Sequence, residues 1–439
     1  MPRVSFYTLG CKLNYAETST IERDFQDRRF EVVPFGTAAD VTVVNTCSVT
    51  AEADRKCRQV IRRALRANPE AFVIVTGCYA QLQPGEVAGI EGVDAVLGAS
   101  EKFQLFRLID SFTKTEQTQV AVSCVDEATT FGPAYSTGER TRAFLKVQDG
   151  CDYACAFCTI PRARGRSRSQ PVEETVAQAR RIAAEGYREI VLSGVNIGLY
   201  GQEHGTSLLE LLRALDDVEG VARYRISSIE PNLLTDDILR FVAGSQRFMP
   251  HFHVPLQSGD DEVLGKMRRR YRREVYADRV ATIRALMPHA SIGVDVIVGF
   301  PAETAAHFEN TYRFLSELPV SYLHVFTYSE RPNTVAVDRV ERVGRPVSKE
   351  ERSRRNRMLR ILSQKKEHAF YSEHLGSVRP VLWEGAEHEG RMYGYTDNYV
   401  RTERPFDPAA EGTIENVRLD ALTEDGAVRA ADPVFVSLL

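Results

Sequence analysis

Three cysteines lie close enough together in the sequence to hold a metal cofactor. Cys151, Cys155 and Cys158 form a CxxxCxxC run directly after the apolar segment AFLKVQ, which predicts a strand. Clustered thiolates of this kind suit iron–sulfur clusters or zinc. A structural zinc site normally takes four ligands in paired motifs, and no second pair follows this run. The spacing therefore favours an iron–sulfur cluster with one open iron, which could bind the amino and carboxylate groups of a small molecule.

Three further cysteines each follow a predicted strand in the first part of the chain. Cys11 lies in TLGCKLN, Cys47 in VNTCSVT and Cys78 in VTGCYAQ. Because the carboxyl ends of parallel strands share one edge of a sheet, we expect these residues to converge and form a second site with three thiolates. Cys57, inside a helical pattern, and Cys124, at the end of this region, are expected to be ordinary cysteines.

Alternating apolar runs and helical patterns predict the elements that must position these cysteines. Residues 1–125 alternate short strands with helical segments, which indicates a parallel α/β domain, and the polar residues 126–142 indicate a linker. Residues 143–370 contain six β/α units and a basic C-terminal helix, which predicts a partial (β/α)6 barrel with its chemistry at the C-terminal strand ends. Residues 371–439 contain short β-like runs, typical of a small antiparallel β-barrel. The predicted fold class is α/β.

Composition argues against a membrane protein. The 439 residues are 43 % apolar and 26 % charged, with a formal net charge of -4, and no apolar run of about 18 residues occurs. We see no signal-peptide pattern, so we expect a cytoplasmic protein without disulfides. Residues 342–366 carry ten basic and two acidic residues, whereas residues 376–439 carry six basic and twelve acidic ones. The basic stretch could meet an anionic polymer or form a solvated helix face.

Two arginine-rich segments are candidates for nucleic-acid contacts. Arg164 and Arg166 follow the cysteine run, and Arg268, Arg269 and Arg270 belong to a second run, MRRRYRR. Arginine mixed with aromatic residues suits an RNA backbone and unstacked bases. We predict that these five arginines contact RNA, although a solvated surface would show the same pattern.

The segment GCDYACAFC at 150–158 resembles the cluster loop of the radical S-adenosylmethionine (SAM) superfamily. Together with Cys11, Cys47 and Cys78, it resembles the methylthiotransferase family, over essentially the whole chain. The resemblance implies SAM and two 4Fe–4S clusters as cofactors. It also implies a radical SAM barrel and a C-terminal TRAM-like barrel that binds RNA. The cluster at the CxxxCxxC run would cleave SAM, and the auxiliary cluster would handle the inserted sulfur.

The substrate branch follows from three motifs. The segments QDGCDYACAFCTIPRARGRSRS, SGVNIGLYG and SSIEP look most like the branch that methylthiolates N6-threonylcarbamoyladenosine at position 37 of tRNA. This resemblance implies a tRNA partner with adenosine at position 37, a reductant and a sulfur source. It also places the candidate SAM contacts at the ends of barrel strands, where packing or turns could equally require polar residues: Ser193, Gly194, Asn196, Ser228, Glu230, Gln257 and Asp295.

Two other classes of function compete with this interpretation. One is a sibling enzyme that methylthiolates another tRNA adenosine or an aspartate of a ribosomal protein, for which an acidic C-terminal barrel would be suitable. The other is a non-catalytic RNA-binding protein with structural zinc. Measurement of bound iron and sulfide would separate an enzyme of this kind from a zinc protein.

Overall fold

The computed structural model describes residues 1–433 except positions 115, 129, 137, 139 and 140. Four of these positions belong to the predicted linker 126–142. Residues 434–439, the end of the predicted C-terminal run DPVFVSLL, also lie outside the described part.

Six parallel strands form the N-terminal sheet, in the order β2-β1-β3-β4-β5-β6. All residues of the two central strands are buried, as expected for parallel strands covered on both faces. The strands are β1 (Arg3–Thr8), β2 (Glu31–Val33), β3 (Val41–Thr46), β4 (Phe72–Gly77), β5 (Ala95–Leu97) and β6 (Gln119–Ala121). The helices are α1 (Lys12–Asp27), α2 (Ala51–Ala67), α3 (Cys78–Leu82), α4 (Pro84–Ala88) and α5 (Leu105–Leu108).

The central region forms the predicted partial barrel. Its strands are β7 (Ala134–Tyr135), β8 (Ala143–Lys146), β9 (Gln148–Asp149), β10 (Arg168–Ser169), β11 (Glu189–Ser193), β12 (Arg223–Ile226), β13 (His251–His253), β14 (Ser291–Val298) and β15 (Tyr322–Thr327). Strands β8, β11 and β12 run parallel in one sheet, and β13, β14 and β15 run parallel in another. Parallel bridges between Ser228 and His253 and between Tyr224 and Phe248 connect the two sheets. The six parallel strands therefore curve into one open barrel.

Helices cover the outside of this barrel. Ser207, Thr235 and Thr304 each cap a helix, because their hydroxyl oxygens accept a hydrogen bond from a backbone N–H of the first turn. No helix in the described residues is long and apolar enough to cross a membrane. The helices are α6 (Ile160–Arg164), α7 (Val172–Ala184), α8 (Leu208–Asp216), α9 (Asp236–Gly244), α10 (Asp261–Lys266), α11 (Arg273–Leu286), α12 (Ala305–Glu317), α13 (Val335–Asp338), α14 (Val340–Val343) and α15 (Lys349–Glu373).

Five strands close the C-terminal barrel in the order β16-β17-β18-β20-β19. They are β16 (Val378–Trp383), β17 (Arg391–Thr396), β18 (Arg401–Pro405), β19 (Ile414–Leu422) and β20 (Val428–Pro433). The small barrel expected from the sequence is thus present, with one parallel pair, β18 with β20, among antiparallel ones. A ring with an odd number of strands cannot alternate direction throughout, so one parallel pair is required for closure.

Candidate active site

The CxxxCxxC cysteines lie on a loop that follows the short strand β9. We call Cys151, Cys155 and Cys158 the barrel trio. The N–H of Tyr153 donates to the Cys151 Sγ at 3.4 Å, and the N–H of Cys158 donates to the Cys155 carbonyl at 3.1 Å. Gly150, before the first cysteine, has φ +69°, and an added Cβ would lie 1.9 Å from a backbone oxygen of the returning segment. Only glycine fits this turn, so the sequence at Gly150 fixes how the loop leaves the barrel.

The thiols of the barrel trio have the chemistry of metal ligands. Burial raises the pKa of all three, and that of Cys158 to about 12. At Cys155 the Arg269 guanidinium opposes this effect, because its Nη1 donates to the Sγ at 3.1 Å. Thiols with raised pKa values stay protonated until a metal displaces the proton. The barrel trio is therefore a ligand set that ionises when metal binds.

The other three cysteines, which we call the sheet trio, meet at the carboxyl edge of the N-terminal sheet. Cys47 and Cys78 directly follow β3 and β4, and Cys11 lies shortly after the end of β1. Gly10 has φ +108°, and a Cβ there would lie 3.1 Å from the Cys47 Sγ. Gly77 has φ +96°, and a Cβ there would lie 2.4 Å from the last backbone oxygen of β3. Both glycines thus permit a close approach that any side chain would prevent.

Neither trio is arranged for a single zinc ion. In a tetrahedral zinc site with thiolate ligands, the sulfurs are about 3.8 Å apart. Among the described residues, one group of three possible metal ligands has all its ligand atoms within 4.8 Å of one another. This group is His253, Asp295 and His324, not either cysteine trio. In neither trio do all three sulfurs lie within 4.8 Å of one another, which is compatible with a cubane cluster held by three thiolates. The residues present fit two iron–sulfur clusters.

The remaining cysteines lie outside the two trios. Cys57 is fully buried in the hydrophobic core of the N-terminal sheet, and Cys124 is exposed. The Cys57 thiol donates to the Cys47 carbonyl at 3.3 Å. Cys57 is thus a core side chain and Cys124 a surface one, and their lack of a role in the two sites stays a prediction.

A buried ion cluster holds the supports of the two trios together. Glu17 on α1 accepts from Lys146 at 2.9 Å and from Arg164 at 2.9 Å, and it also pairs with Lys102. Asp149 on β9 accepts from Arg164 at 3.0 Å and from Lys146 at 2.7 Å. These five side chains are at most 5 % exposed. The helix that follows Cys11 and the strand that precedes Cys151 are thereby fixed to one another.

The prediction that Arg164 contacts RNA is wrong. Its side chain is 2 % exposed, and both terminal nitrogens are engaged inside the protein. Besides Glu17, the guanidinium donates to the Asn14 Oδ1 at 2.7 Å, and Asn14 in turn donates to the Thr46 carbonyl, next to Cys47. Arg164 therefore connects the segment behind the barrel trio to the sheet trio.

We expect Glu17→Gln to lower the free energy of unfolding by about 3–5 kcal/mol, because it leaves three buried cations without their main counter-charge. Burial alone would raise the pKa of Glu17, but Arg164, Lys102 and Lys146 hold it well below the usual range, so the carboxylate is ionised at neutral pH. Urea denaturation of the anaerobic, iron-loaded protein measures the effect. The control is Glu52→Gln, since Glu52 is exposed and forms its ion pair with Arg55 on the same helix. Equal effects of the two substitutions would contradict the assignment.

A cavity of about 1150 Å³, here called the central cavity, opens between the N-terminal sheet, the central barrel and the C-terminal barrel. Cys11 of the sheet trio lines it, as do Ser193 and Ser228 at the ends of barrel strands. Tyr395 and Tyr399 line it from the C-terminal barrel. Both belong to the tyrosine-rich segment YGYTDNYV.

Residues after β11 connect the central cavity to the barrel trio. The N–H of Asn196 donates to the Gln148 Oε1 at 2.9 Å, and its Nδ2 lies 3.9 Å from the Cys151 Sγ. The Asn196 Oδ1 is buried and has no hydrogen-bond partner among the described residues. An unpartnered acceptor beside the barrel trio fits the amino group of a bound cofactor. Ser193 and Gly194, just before it, line the central cavity.

Arg269 and Glu230 form a second polar group at the barrel trio. Arg269 donates to the Glu230 carboxylate as well as to Cys155, and its side chain is 3 % exposed. The prediction that Arg269 contacts RNA is therefore wrong. Burial raises the pKa of Glu230, and Arg269 opposes this rise. Among the residues predicted to hold SAM, the structure brings Glu230 and Asn196 to this trio.

The other predicted residues have different neighbours. Asp295 and His253 share a hydrogen bond of 2.8 Å between Oδ1 and Nε2, with His324 beside them. Gln257 adopts φ +69°, and its N–H donates to the Asp295 carbonyl at 2.8 Å. His253 and His324 line the central cavity, and neither was singled out in the sequence.

Three of the predicted RNA-binding arginines are exposed: Arg166, Arg268 and Arg270. Arg270 lies over the Tyr153 ring at 4.0 Å and donates to the Asp152 carbonyl at 3.0 Å. Its cationic group is thus held on the outer surface of the cluster loop.

Two family models match the chain in the regions that carry the two trios. The radical SAM superfamily matches residues 145–315, and the uncharacterized protein family UPF0004 matches residues 3–98. The first range contains the barrel trio and the second contains the sheet trio.

Curated relatives align along most of the chain. The threonylcarbamoyladenosine tRNA methylthiotransferase MtaB of Bacillus subtilis is 42 % identical, with 91 % of this chain and 90 % of the relative covered. The protein of the same name from Aquifex aeolicus is 39 % identical, with 92 % and 96 % covered. The tRNA-2-methylthio-N(6)-dimethylallyladenosine synthase of Thermobifida fusca is 33 % identical, with 88 % and 78 % covered.

A solved structure shares the fold. The radical SAM methyltransferase TsrM from Kitasatospora setae superposes with a TM-score of 0.57 at 16 % identity, with 77 % of this chain and 78 % of that chain covered. The relatives above, with identities of 33 % to 42 % over most of both chains, establish the family. The chain belongs to the methylthiotransferase family of radical SAM enzymes.

Proposed function

We propose that this chain transfers a methylthio group to C2 of N6-threonylcarbamoyladenosine at position 37 of tRNA. The central cavity carries the proposal, because Cys11 of the sheet trio and the strand ends beside the barrel trio line the same space. One base held there can meet the chemistry of both trios. The relatives of 42 % and 39 % identity bear the name of an enzyme for this modified adenosine.

Two 4Fe–4S clusters and SAM are the cofactors. The barrel trio holds the cluster that binds SAM, and the sheet trio holds the auxiliary cluster. Bound there, these groups supply a carbon radical and the sulfur to be inserted, which matters because the C2–H of adenine is not acidic and acid–base groups cannot activate it. The chain positions them: Asn196 offers its free Oδ1, and Arg269 holds Cys155 and Glu230 in place.

The division of the chain follows the same proposal. Residues 1–125 hold the auxiliary cluster, 143–370 form the radical SAM barrel, and 371–439 form a TRAM-like barrel that contacts RNA, with 126–142 as a linker. A reductant must supply an electron for SAM cleavage, and a separate source must replace the inserted sulfur. The enzyme would act on tRNA in the cytoplasm.

The exposed arginines near the cluster loop supply the RNA contacts in this proposal. Arg166, Arg268 and Arg270 are available to phosphate groups on the outer surface. Ser228, Gln257 and Asp295 stay proposed cofactor contacts at the barrel mouth, together with the strand end at 193–196.

Deletion of the gene tests the proposed function. We expect 2-methylthio-N6-threonylcarbamoyladenosine to disappear from cellular tRNA while N6-threonylcarbamoyladenosine accumulates, because C2 would no longer be modified. Liquid chromatography with mass spectrometry of tRNA nucleosides measures both. Complementation with the wild-type gene should restore the product, and the Cys155→Ala gene should not. An unchanged nucleoside profile would contradict the tRNA substrate and favour a protein substrate.

A further inference from the structure

The wall of the central cavity carries a cation that the protein itself does not neutralise. Four basic side chains line the cavity: Lys12, Arg142, Arg225 and Arg401. Arg225 pairs with Glu189 at 2.8 Å, and Arg142 pairs with Glu384 at 2.8 Å. The Lys12 ammonium has no hydrogen-bond or ion-pair partner among the described residues. An ammonium in such a recess favours an anionic ligand.

The carboxylates of the cavity do not supply that counter-charge. Glu367, Glu424 and Asp425 line the cavity from α15 and from the turn between β19 and β20. The groups that act most strongly on Lys12 are instead Tyr399, two arginines and the already paired Glu189. The Lys12 ammonium thus has cationic neighbours, Arg142 and Arg225, and forms no ion pair with these carboxylates.

A column of stacked rings holds the second cation in place. The Tyr395 and Tyr399 rings stack at 4.6 Å, and Tyr399 stacks on His251 at 4.1 Å. The Arg142 guanidinium lies 4.8 Å from the Tyr395 ring centroid. Tyr399 adopts φ +69°, a conformation that a bulky residue takes only where its surroundings enforce it. Arg225 helps to enforce it by donating to two backbone carbonyls of the preceding turn, at 2.7 and 2.8 Å.

The proposed substrate carries the group that such a wall would select. The threonyl moiety of N6-threonylcarbamoyladenosine ends in a carboxylate, whereas a dimethylallyl group on N6 has no charge. Resting on the proposed function, we infer that Lys12 and Arg142 bind the threonyl carboxylate and so determine which modified adenosine is accepted. Lys12 directly follows Cys11, so a base anchored there lies next to the sheet trio. A base without the carboxylate would fill the cavity but leave the Lys12 ammonium unpaired. Such a base would therefore bind more weakly.

Two RNA substrates that differ only in this charge test the inference. Anticodon stem-loops carry either N6-threonylcarbamoyladenosine or its threonyl methyl ester, and kcat/KM for methylthiolation is measured with each. We expect the wild-type enzyme to favour the acid by about 10- to 100-fold. Lys12→Met should reduce this preference by about tenfold or more, through loss of activity on the acid. The matched control is Lys56→Met, an exposed lysine on α2 that does not line the cavity.

Bound iron and SAM cleavage without RNA check that each variant is intact. If Lys12→Met loses iron, Arg142→Gln, from a different segment, provides the measurement, with the same loss of preference expected. If the wild-type enzyme is active and the iron-loaded variants keep its preference for the acid, the inference is wrong and the proposed function is unaffected. A wild-type enzyme that modifies neither RNA would instead overturn the proposed function, and the inference with it.

Discussion

Cys155→Ala is expected to abolish SAM cleavage completely. Cys155 is the central member of the barrel trio and is 9 % exposed, so solvent or a neighbouring side chain cannot easily replace its sulfur. Without it, two thiolates remain where a cubane with one open iron needs three. The variant should retain the fold, because a cysteine-to-alanine change removes one sulfur atom at a loop. Anaerobic incubation with dithionite and SAM, followed by quantification of 5'-deoxyadenosine, measures the loss.

The matched control for this prediction is Cys124→Ala. Cys124 is exposed and belongs to neither trio, so its substitution should leave both iron content and SAM cleavage at the wild-type level. Iron bound per chain should fall from about eight to about four in Cys155→Ala, since only the sheet trio would still hold a cluster. Persistence of 5'-deoxyadenosine formation in Cys155→Ala would show that SAM is cleaved elsewhere.

Local sequence patterns were sufficient to predict where the cysteines of the two trios lie in the fold. The strand-then-cysteine pattern at Cys11, Cys47 and Cys78 specifies an edge of a parallel sheet, and the topology of such sheets brings that edge together. Gly10 and Gly77 carry the same information, because both precede a cysteine and both adopt positive φ. The fold class followed from the alternation of strands and helices for similar reasons.

The roles of individual arginines could not be predicted in this way. Arg164 and Arg269 lie in dense basic runs, as do the exposed arginines beside them. Their burial depends on partners far away in the chain: Glu17 lies 147 residues from Arg164, and Glu230 lies 39 residues from Arg269. A charge pattern shows that positive groups are present, but only the tertiary fold determines which of them meets a buried carboxylate.

Lys12 and Arg142 escaped prediction for a related reason. Neither belongs to a dense basic run: Lys12 lies beside a cysteine, and Arg142 lies at the end of a polar linker. Their proximity arises only when the N-terminal sheet, the barrel and the 395–399 turn enclose the central cavity. In the inference drawn above, the residues that select the modified base therefore come from separate regions of the chain.

Cys47→Ala is expected to separate the two chemistries of the enzyme. Cys47 belongs to the sheet trio, and Gly10 packs against its side chain so closely that an added Cβ would lie 2.8 Å from the Cys47 Cβ. Removal of this thiol should prevent the auxiliary cluster from forming, while the barrel trio keeps its three sulfurs. We therefore expect 5'-deoxyadenosine formation close to the wild-type level, about four iron per chain, and no methylthio product. Assays of SAM cleavage, bound iron and tRNA nucleosides on one anaerobic preparation measure all three.

Cys57→Ala supplies the matched control, since Cys57 is buried in the same region, with its thiol donating to the Cys47 carbonyl. Burial raises the pKa of both thiols to about 12, so the two cysteines share their environment and differ in whether they belong to the trio. Cys57→Ala should therefore keep about eight iron per chain and form product. Full methylthiolation by Cys47→Ala would show that the sheet trio does not handle the inserted sulfur. If Cys47→Ala lost SAM cleavage and Cys57→Ala did not, the two trios could not act separately. The buried ion cluster that connects their supports would explain this dependence.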